Sequence, residues 1–394
     1  MTPPPNDTGG TAKLEHFVSK TPFDPYSIEA VSPEQERYYM AGQWRLMWWK
    51  LKRHKLAVWS GALLLFFYFT AVICEALVPY DLNTRNSDFI LAPPQQVRLF
   101  HKGEFVGPYV YGLKPDIEEK RKRRRIYHTD RENVQKIRFF CMGDTYYWWG
   151  LVEGRFHLVC PAKGGTLFFL GTDRLGHDVF SRIVTGARIS LTIGLVGITV
   201  SFALGIVIGG LAGYYGGWID SIVQRIIEVL RSLPALPMWM ALSAALPPKW
   251  SPLAIYFGIT IILGLLDWTG LARAVRSKLL ALREEDFCTA AQLMGASPKR
   301  IIGRHLLPSF TSHLIASATL SIPAMILGET ALSFLGLGLR KPIVSWGVLL
   351  TDAQDINAVA LYPWLMIPVI PVIITVLAFN FLGDGLRDAA DPYK

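Results

Sequence analysis

Two carboxylic acids stand inside long apolar stretches of the sequence, where an ionisable side chain is costly and commonly serves a function. Glu329 lies in the apolar block 311–338, and Asp267, beside Trp268, lies in the block 252–272. Each carboxylate could bind an ion or a cargo, or it could accept hydrogen bonds from a neighbouring helix or subunit. The sequence leaves both interpretations open for both residues.

Patterns typical of enzyme active sites are absent from the sequence. It contains no Gly-x-x-x-x-Gly-Lys-[Ser/Thr] phosphate loop, no His-Glu-x-x-His motif and no Gly-x-Ser-x-Gly motif. The eight histidines are dispersed, and no pair of cysteines has the spacing of a metal site. We therefore expect no catalytic residue, no metal site and no phosphate-loop ATPase activity in this chain.

Two of the four cysteines, Cys141 and Cys160, fall in a region that we predict to lie outside the cytoplasm, where disulfides form. They could be joined by a disulfide, or they could be two separate buried thiols, because strand pairing cannot be checked from sequence. The aromatic runs 138–140 and 145–149 flank residues 143–144, a Gly-Asp pair. This pattern predicts a β-hairpin that turns at the pair.

A stripe of glycines ends the second apolar block: Gly205, Gly209, Gly213 and Gly217 recur every four residues. Four-residue spacing places small residues on one face of a helix and lets a second helix approach closely. In a membrane, such contact is a main source of helix association. We predict helix packing at this stripe, either within the chain or against a second subunit.

The segment between the fourth and fifth apolar blocks, 273–310, has the signals of two short helices joined by a turn. A helix runs through the alanine pair 290–291, Gly295 ends it, and Ser297-Pro298 starts the next helix before Pro308. Such a helix pair standing on a membrane surface offers a compact knob to a cytosolic protein partner.

The composition is that of a membrane protein with sizeable aqueous parts. The 394 residues carry a net charge of +9, and 51% of them are hydrophobic while only 18% are charged. This excludes a disordered, collagen-like or disulfide-dense secreted chain, and also a single ordinary soluble domain. Six apolar blocks are each long enough for one membrane-spanning helix: 56–78, 188–212, 222–247, 252–272, 311–338 and 359–383.

We therefore predict an all-α polytopic membrane protein with six transmembrane helices and an extracytoplasmic insertion that is partly β. Basic residues near the ends of the blocks and an even number of crossings place both termini and the loop 273–310 in the cytoplasm. The predicted segments are a disordered cytoplasmic tail 1–30, an amphipathic interfacial helix or an extension of the first span over 31–55, the first span 56–78, the insertion 79–187, a five-helix core 188–385 and a cytoplasmic end 386–394.

The insertion also holds the basic run 120–125. In a soluble protein such a run would indicate nucleic-acid binding. Outside a membrane we interpret it as a solvated surface strip, so we expect membrane lipid and no nucleic acid among the partners.

The loop 273–310 resembles the Glu-Ala-Ala…Gly…Ile-x-Leu-Pro loop of ABC importer permeases. Ala290, Ala291, Gly295, Leu307 and Pro308 match that pattern, with Thr289 in place of its glutamate and His305 in place of its isoleucine. Further stretches are similar to dipeptide/oligopeptide permeases: 170–191, 329–336, 345–347 and 380–392. The insertion around 136–151 looks like that of the Yej-type oligopeptide/microcin branch.

This resemblance implies the type I ABC importer permease fold in a bacterial inner membrane. It implies a heterodimer with a homologous permease, two cytosolic ABC ATPases that bind ATP and Mg²⁺, an extracytoplasmic binding protein, and no cofactor on this chain. It implies di- or oligopeptide cargo, with oligosaccharides, opines and nickel complexes as alternatives. The residues that it assigns to ATPase coupling are Thr289, Ala290, Ala291, Gly295, Ala296, Ser297, His305, Leu307 and Pro308.

A second class of protein, a secondary transporter or channel, would use Glu329 and Asp267 as ion sites. Such proteins often carry inverted repeats, and we find no convincing internal repeat in this sequence. They also have no need of a docking loop for a cytosolic partner. Copurification of ATPase subunits from mild detergent distinguishes the two classes.

Overall fold

The computed structural model describes residues 40–116, 125–247 and 249–390. The predicted tail 1–30 lies outside the described residues, as do residues 31–39 of the predicted helix 31–55, most of the basic run 120–125 and the residues 391–394 of the predicted cytoplasmic end. The chain divides into two compact units, Met1–Leu46 and Met47–Lys394.

Helices dominate the described residues. In chain order they are α1 Gln43–Arg53, α2 Lys55–Val72, α3 Cys74–Leu77, α4 Val179–Tyr215, α5 Gly217–Ser232, α6 Ala235–Ala244, α7 Pro252–Leu282, α8 Asp286–Leu293, α9 Pro298–Arg300, α10 Leu307–Ser309, α11 Thr311–Phe334, α12 Trp346–Leu350, α13 Ile356–Leu361 and α14 Val369–Ala390. Short 3₁₀ turns cover Ser87–Phe89, Thr351–Ala353 and Pro363–Met366, and a π-helical turn covers Ile301–Leu306. The strands are β1 Arg98–His101, β2 Glu104–Pro115, β3 Tyr127–Lys136, β4 Arg138–Trp148 and β5 Val152–Cys160.

Five helical stretches of the described chain are long and apolar enough to cross a membrane: α2, α4, α7, α11 and the stretch Pro363–Ala390 that contains α14. The block 222–247 was predicted as one helix, and this was wrong, because α5 and α6 form a pair bent by 88°. The break falls at Leu233, whose backbone is extended with ψ of 139°, and at Pro234. Proline has no N–H to donate and disfavours helical geometry in the preceding residue, so a continuous helix ends there.

The glycine stripe shows the direction in which α4 and α7 pack. A Cβ added to Gly205 would lie 2.9 Å from the Leu271 side chain, and one added to Gly213 would lie 2.8 Å from the carbonyl oxygen of Arg276. The contacting positions rise in number together along both helices, so α4 and α7 run parallel. The chain must therefore return across the core between α4 and α7. The bent pair α5 and α6 makes this return, which brings the number of crossings to six.

Close approach of two helix backbones explains why glycines occupy the stripe. Gly209 faces the backbone of Ala272 so closely that any side chain would collide with it. Gly205, Gly209 and Gly213 therefore pack within the chain. The prediction of such packing was wrong for Gly217, because α4 has already ended: Gly217 starts α5 with a φ of 57°, and an added Cβ would meet no described atom within 4 Å.

Both ends of the predicted insertion differ from the structure. The first span ends at Val72 rather than at residue 78, and the short helix α3 follows it. The second span starts earlier than predicted, because Asp178 caps α4 by accepting a hydrogen bond from Ser181 N at 2.8 Å. Residues 179–187 are therefore part of a spanning helix rather than of the insertion.

The helix that precedes the first span is separate from it. α1 ends at Arg53 and α2 begins at Lys55. His54, between them, accepts a hydrogen bond from Ala57 N through Nδ1 at 3.1 Å. This side-chain cap satisfies one of the free N–H groups at the start of α2, so α1 is not an extension of the span.

Buried apolar side chains join the spanning helices. One cluster links α2 to Leu191 of α4, Ile326 of α11 and Phe379 of α14, and it encloses Trp346 of α12. A second cluster links the carboxyl-terminal half of α7 to α8 and to residues 301–314. The second cluster fixes the loop after α7 to the membrane core.

The insertion holds two antiparallel sheets, with strand orders β1-β2-β3 and β4-β5. The predicted hairpin was wrong in its turn: the first aromatic run and residues 145–148 of the second lie along β4, and the chain turns at residues 149–151, so that Trp148 pairs with Val152. Pairing is instead irregular around Gly143, where a Cβ would lie 2.7 Å from the His157 ring. The glycine thus makes room for a side chain of the opposite strand, a contact that local sequence does not reveal.

The β4–β5 pair is fastened in two ways. A disulfide joins Cys141 to Cys160. The His157 ring lies 2.7 Å from the Val78 carbonyl oxygen through Nδ1 and 2.8 Å from the Asp144 carbonyl oxygen through Nε2. The hairpin is therefore tied to the chain that leaves the first span.

Candidate functional site

The two ends of the helical core carry different structures. Because α4 and α7 run parallel, the insertion before α4 and the loop after α7 lie at opposite ends. Val72, at the end of α2, accepts a hydrogen bond from Trp148 of the insertion at 2.9 Å. α2 therefore ends beside the insertion and begins at the opposite end of the core, which we call the loop end. Gly385 of α14 closely faces Ala57 of α2. The start of α2 and the end of α14 therefore share one end of the core with the loop.

The loop after α7 ends its first helix with a left-handed glycine. α8 ends at Leu293, and Gly295 has a φ of 80°. Gly295 N donates a hydrogen bond to Gln292 O at 2.9 Å, and Ala296 N donates to Ala291 O at 3.0 Å. This bonding pattern is a common way in which glycine terminates a helix and redirects the chain.

One face of this loop is buried against the core. Ala291 of α8 and Cys288, one turn before it, are buried, as are Ile301 and Leu306 of the π-helical turn. They belong to the same cluster as Leu279 of α7. Close-packed interiors transmit displacement rather than absorbing it, so α7 and the loop form one mechanical unit.

The opposite face exposes large apolar side chains. Leu293 is 85% exposed and Met294 is 80% exposed. Phe287 and Ala290 are also exposed and precede Met294 at helical spacing, with Thr289 beside them. We call the residues 287–294 that carry these exposed side chains the loop tip. An apolar group at the end of a short helix pair indicates a surface for a protein partner.

The second half of the loop is less regular than predicted. Ser297 occupies the N-cap position of the three-residue helix α9, and the π-helical turn follows before α10, which holds Pro308 in its first turn. Single π-helical turns are rare and frequently occur at functional sites. Ala296, His305 and Leu307 are half-buried and Pro308 is exposed. Ala296 and Leu307 pack against the buried cluster that joins the loop to α7.

Glu329 of α11 is completely buried. Its Oε1 accepts hydrogen bonds from Ser333 Oγ at 2.8 Å and from Ser345 Oγ at 2.6 Å. Ser345 is also the N-cap of α12, where its Oγ accepts from Val348 N at 3.2 Å. Oε2 is buried and has no partner among the described residues. Of the two interpretations left open by the sequence, the two bonds to Oε1 fit a structural acceptor that fastens the segment after α11 to the core.

Asp267 of α7 has different surroundings. It is half-buried and, among the described residues, it makes no hydrogen bond and no ion pair at contact distance. It lines a cavity of about 340 Å³ at the bend between α5 and α6, together with Arg231 and Trp239. The structure does not bring Asp267 and Glu329 into one site.

A buried ionic cluster before α4 was missing from our predicted site residues. Asp173 Oδ2 lies 2.5 Å from Arg182 Nη1 and 3.0 Å from His177 Nδ1. Burial alone would raise the pKa of Asp173, but hydrogen bonds from His177 and the charge of Arg182 hold it well below its usual value. The signal available in the sequence was the position of these ionisable residues, two just before α4 and one in its first turn.

Asp178 stands next to this cluster and caps α4. Its Oδ2 accepts hydrogen bonds from Ser181 N at 2.8 Å and from Ser181 Oγ at 2.6 Å. Burial raises the pKa of Asp178 to about 7. An Asp-x-x-Ser sequence before an apolar run is a recognisable cap signal.

Arg188 of α4 joins the insertion to the first span. Its Nη1 lies 2.6 Å from Glu75 Oε1, and its Nε donates to Ala71 O at 3.0 Å. The same guanidinium lies 4.3 Å from the ring centroid of Trp149 at the turn of the β4–β5 hairpin. The hairpin turn is therefore held at the end of α2.

Comparison with known proteins places this architecture in a family. Residues 205–393 match the family described as binding-protein-dependent transport system inner membrane component. Residues 42–94 match the N-terminal TM domain of oligopeptide transport permease C.

Individual relatives are similar over more than half of the chain. The dipeptide transport system permease protein DppC of Bacillus subtilis is 41% identical over 224 residues, which cover 57% of this chain and 68% of that protein. The oligopeptide transport system permease protein OppC of Haemophilus influenzae is 39% identical over 233 residues, covering 59% and 72%. The glutathione transport system permease protein GsiD of Pectobacterium atrosepticum is 38% identical over 224 residues, covering 57% and 72%. Among solved structures, a chain of the MetNI methionine ABC transporter in an inward-facing conformation has a TM-score of 0.42 and 20% identity, covering 53% of this chain and 97% of that chain.

These relatives are named as transport system permease proteins and not as enzymes, in agreement with the prediction for this chain. The predicted fold class, a multi-pass helical permease with a partly β insertion, is confirmed. The chain belongs to the dipeptide/oligopeptide family of binding-protein-dependent transport system inner membrane components, as a C-type permease subunit of an ABC importer.

Proposed function

We propose that the chain forms one half of a pathway for di- or oligopeptides, paired with a homologous permease and supplied by an extracytoplasmic binding protein. Support comes from the relatives, which are named for dipeptide, oligopeptide and glutathione transport. ATP and Mg²⁺ are bound by two cytosolic ATPase subunits, and this chain itself binds no cofactor.

The observation that carries the proposal is the two-sided loop after α7. Its inner face packs with Leu279 of α7, and its tip exposes Phe287, Leu293 and Met294. An ATPase subunit that binds the loop tip would move α7 as a rigid body when it closes around ATP. The energy then enters as a shift between outward-open and inward-open states, without bond chemistry in this chain.

Charge supports a cytoplasmic location for the loop and for both ends of the chain. The loop end of the core carries the basic residues Lys50, Lys52 and Arg53 before α2, and a further set around α8. That set is Arg273, Arg276, Lys278, Arg283, Lys299, Arg300 and Arg304. Basic residues that flank spans favour the cytoplasmic side. The insertion would then face the compartment from which the binding protein delivers cargo.

Gly295→Pro tests this proposal. Proline cannot adopt a φ of 80° and has no N–H to donate to Gln292, so the turn behind the loop tip is lost. In vesicles that hold the complete transporter, we expect peptide uptake by this variant to fall to the level measured without ATP. Membrane insertion and the melting temperature of the complex should stay close to those of the wild type.

Gly303→Ala is the matched control, because Gly303 lies in the same loop and an added Cβ meets no described atom within 4 Å. It should transport normally. Undiminished ATP-dependent uptake by Gly295→Pro would contradict the proposal. So would a wild-type chain purified in mild detergent without any ATPase subunit.

A further inference from the structure

We propose that the cavity at the bend between α5 and α6 binds the two charged ends of a short peptide, with Asp267 taking the ammonium group and Arg231 taking the carboxylate. This inference rests on the proposed function, and it names the site in this chain at which the cargo is held. We call this space the bend cavity; it is lined by Asp267, Arg231, Trp239 and apolar neighbours.

The bend cavity lies against the middle of α7, beside an interrupted helix. Asp267 is the middle residue of α7, about 22 Å from either end at 1.5 Å per residue. The opposite wall is the break between α5 and α6, where the helix axis turns by 88°. Transporters commonly bind cargo beside interrupted helices, because the break leaves polar groups and space.

The two charged residues of the cavity, Asp267 and Arg231, form no direct ion pair, whereas another acid and arginine on the same two helices do. Arg276 of α7 and Asp220 of α5 form a direct bidentate ion pair. Asp267 of α7 and Arg231 of α5 also act on each other electrostatically, but no contact pair joins them among the described residues. If Asp267 and Arg231 served only to hold the helices together, we would expect a direct ion pair like that of Arg276 and Asp220. Because they form none, there is room for a ligand between the two charges.

The size and lining of the cavity indicate what it accepts. Its volume of about 340 Å³ lies at the lower end of the range for small-molecule sites, which suits a short peptide or one end of a longer one. Leu230, Met238 and Leu266 supply apolar walls. An inorganic ion would need ligands of one sign, whereas this cavity offers a negative group and a positive group, as a zwitterionic peptide requires.

Three related peptides separate the two charge contacts. We would measure ATP-driven uptake of trialanine, N-acetyl-trialanine and trialanine amide into vesicles that hold the complete transporter, with saturating binding protein. Asp267→Asn should slow trialanine uptake about tenfold and leave N-acetyl-trialanine at the wild-type rate, because that peptide has no ammonium group. Arg231→Gln should slow trialanine and spare trialanine amide. Comparing variant with wild type on each peptide cancels any preference of the binding protein.

Glu228→Gln is the matched control, because Glu228 lies on α5 one turn before Arg231, outside the cavity, and pairs with Arg225 at 2.9 Å. It should leave all three rates unchanged. A merely structural role for Asp267 would slow all three peptides alike, and that result would overturn the inference while the proposed function stood. If the wild type carries none of the three peptides with ATP, the proposed function fails as well.

A second measurement does not depend on uptake. A tripeptide with a central benzoylphenylalanine is irradiated with the purified permease–ATPase complex without binding protein, and the adduct is mapped by mass spectrometry. We expect labelling of Met238 or its neighbours in α6, competed by trialanine and weakened in Asp267→Asn. Labelling that avoids residues 235–244, or that is equally strong in both proteins, would overturn the inference.

Discussion

Two carboxylates that look alike in the sequence have opposite surroundings in the structure. Glu329 is completely buried and accepts two serine hydroxyls, whereas Asp267 lines the bend cavity and has no such partner among the described residues. Both lie in membrane-spanning helices, so the cost of burying an acid does not distinguish them. Their neighbours do. A carboxylate that is hydrogen-bonded within the chain holds structure, and one left open beside a cation can hold a ligand.

Glu329→Ala should have the largest effect on stability. It removes the acceptor of both serine hydroxyls and leaves a hole between α11 and the segment that leads to α12. We expect a loss of about 2–4 kcal/mol in the free energy of unfolding, measured by chemical denaturation of the purified complex. Glu329→Gln keeps an acceptor oxygen and should lose less. Equal losses in the two variants would show that the hydrogen bonds do not matter.

Ser345→Ala should have the next largest effect. It removes the hydrogen bond to Glu329 and the cap of α12 at Val348 N. The expected loss is about 1–2 kcal/mol in the same denaturation assay. Ser277→Ala is the control, since Ser277 is exposed and bonds only within its own helix, to Arg273 O. A Ser345 variant as stable as that control would remove the structural account of Glu329.

Asp178 is a third carboxylic acid to compare, and it is buried. Because it lies outside the membrane-spanning helices, the effect of pH on it can be measured. Its pKa of about 7 in the folded protein exceeds the value of about 3.9 in an unfolded chain. The folded state therefore binds the proton more tightly, so its stability falls as pH rises from about 4 to about 7. Asp178→Asn keeps the cap acceptor without a titrating group.

The melting temperature of the wild-type complex should fall by a few degrees between pH 5 and pH 8, and Asp178→Asn should flatten that slope. The measurement is a thermal shift series in one detergent at constant ionic strength. A variant with the same slope as the wild type would assign the pH dependence to other groups.

Asp267→Asn should have the smallest effect on stability. Because Asp267 makes no contact ion pair among the described residues, we expect a change within about 0.5 kcal/mol in unfolding free energy. Set beside the large loss in Glu329→Ala, this result would sharpen the division between a structural and a ligand-binding acid. A loss as large as that of Glu329→Ala would erase the division.

Sequence reasoning succeeded where the signals are local. The turn at Gly295 and the helix start at Ser297 were predicted from glycine, serine and proline in adjacent positions, and the structure has both. The break at Pro234 carried an equally local signal, but the apolar run on both sides favoured a single span. We gave the apolar composition more weight than the proline. Because we predicted one straight helix, we missed the bend that forms one wall of the bend cavity.

Sequence reasoning failed where contacts join distant residues. The predicted hairpin turned at residues 143–144 because the glycine was assigned to a turn, whereas it makes room for His157 across the sheet. Ser345 reaches Glu329 from 16 residues away, across the segment after α11. Neither pairing has a periodic signature. The family resemblance supplied the permease role, but it could not assign the two acids.

The claim on which the account depends is that the loop tip meets the ATPase subunits. The most direct measurement replaces Met294 with photoreactive benzoylphenylalanine, irradiates the assembled transporter in membranes, and identifies the partner by mass spectrometry. The same replacement of Leu151, which is 84% exposed in the insertion, is the control. We expect an adduct with an ATPase subunit from position 294 and none from position 151. An adduct with the extracytoplasmic binding protein at 294, or no ATPase adduct in a transporter that still hydrolyses ATP, would contradict the account.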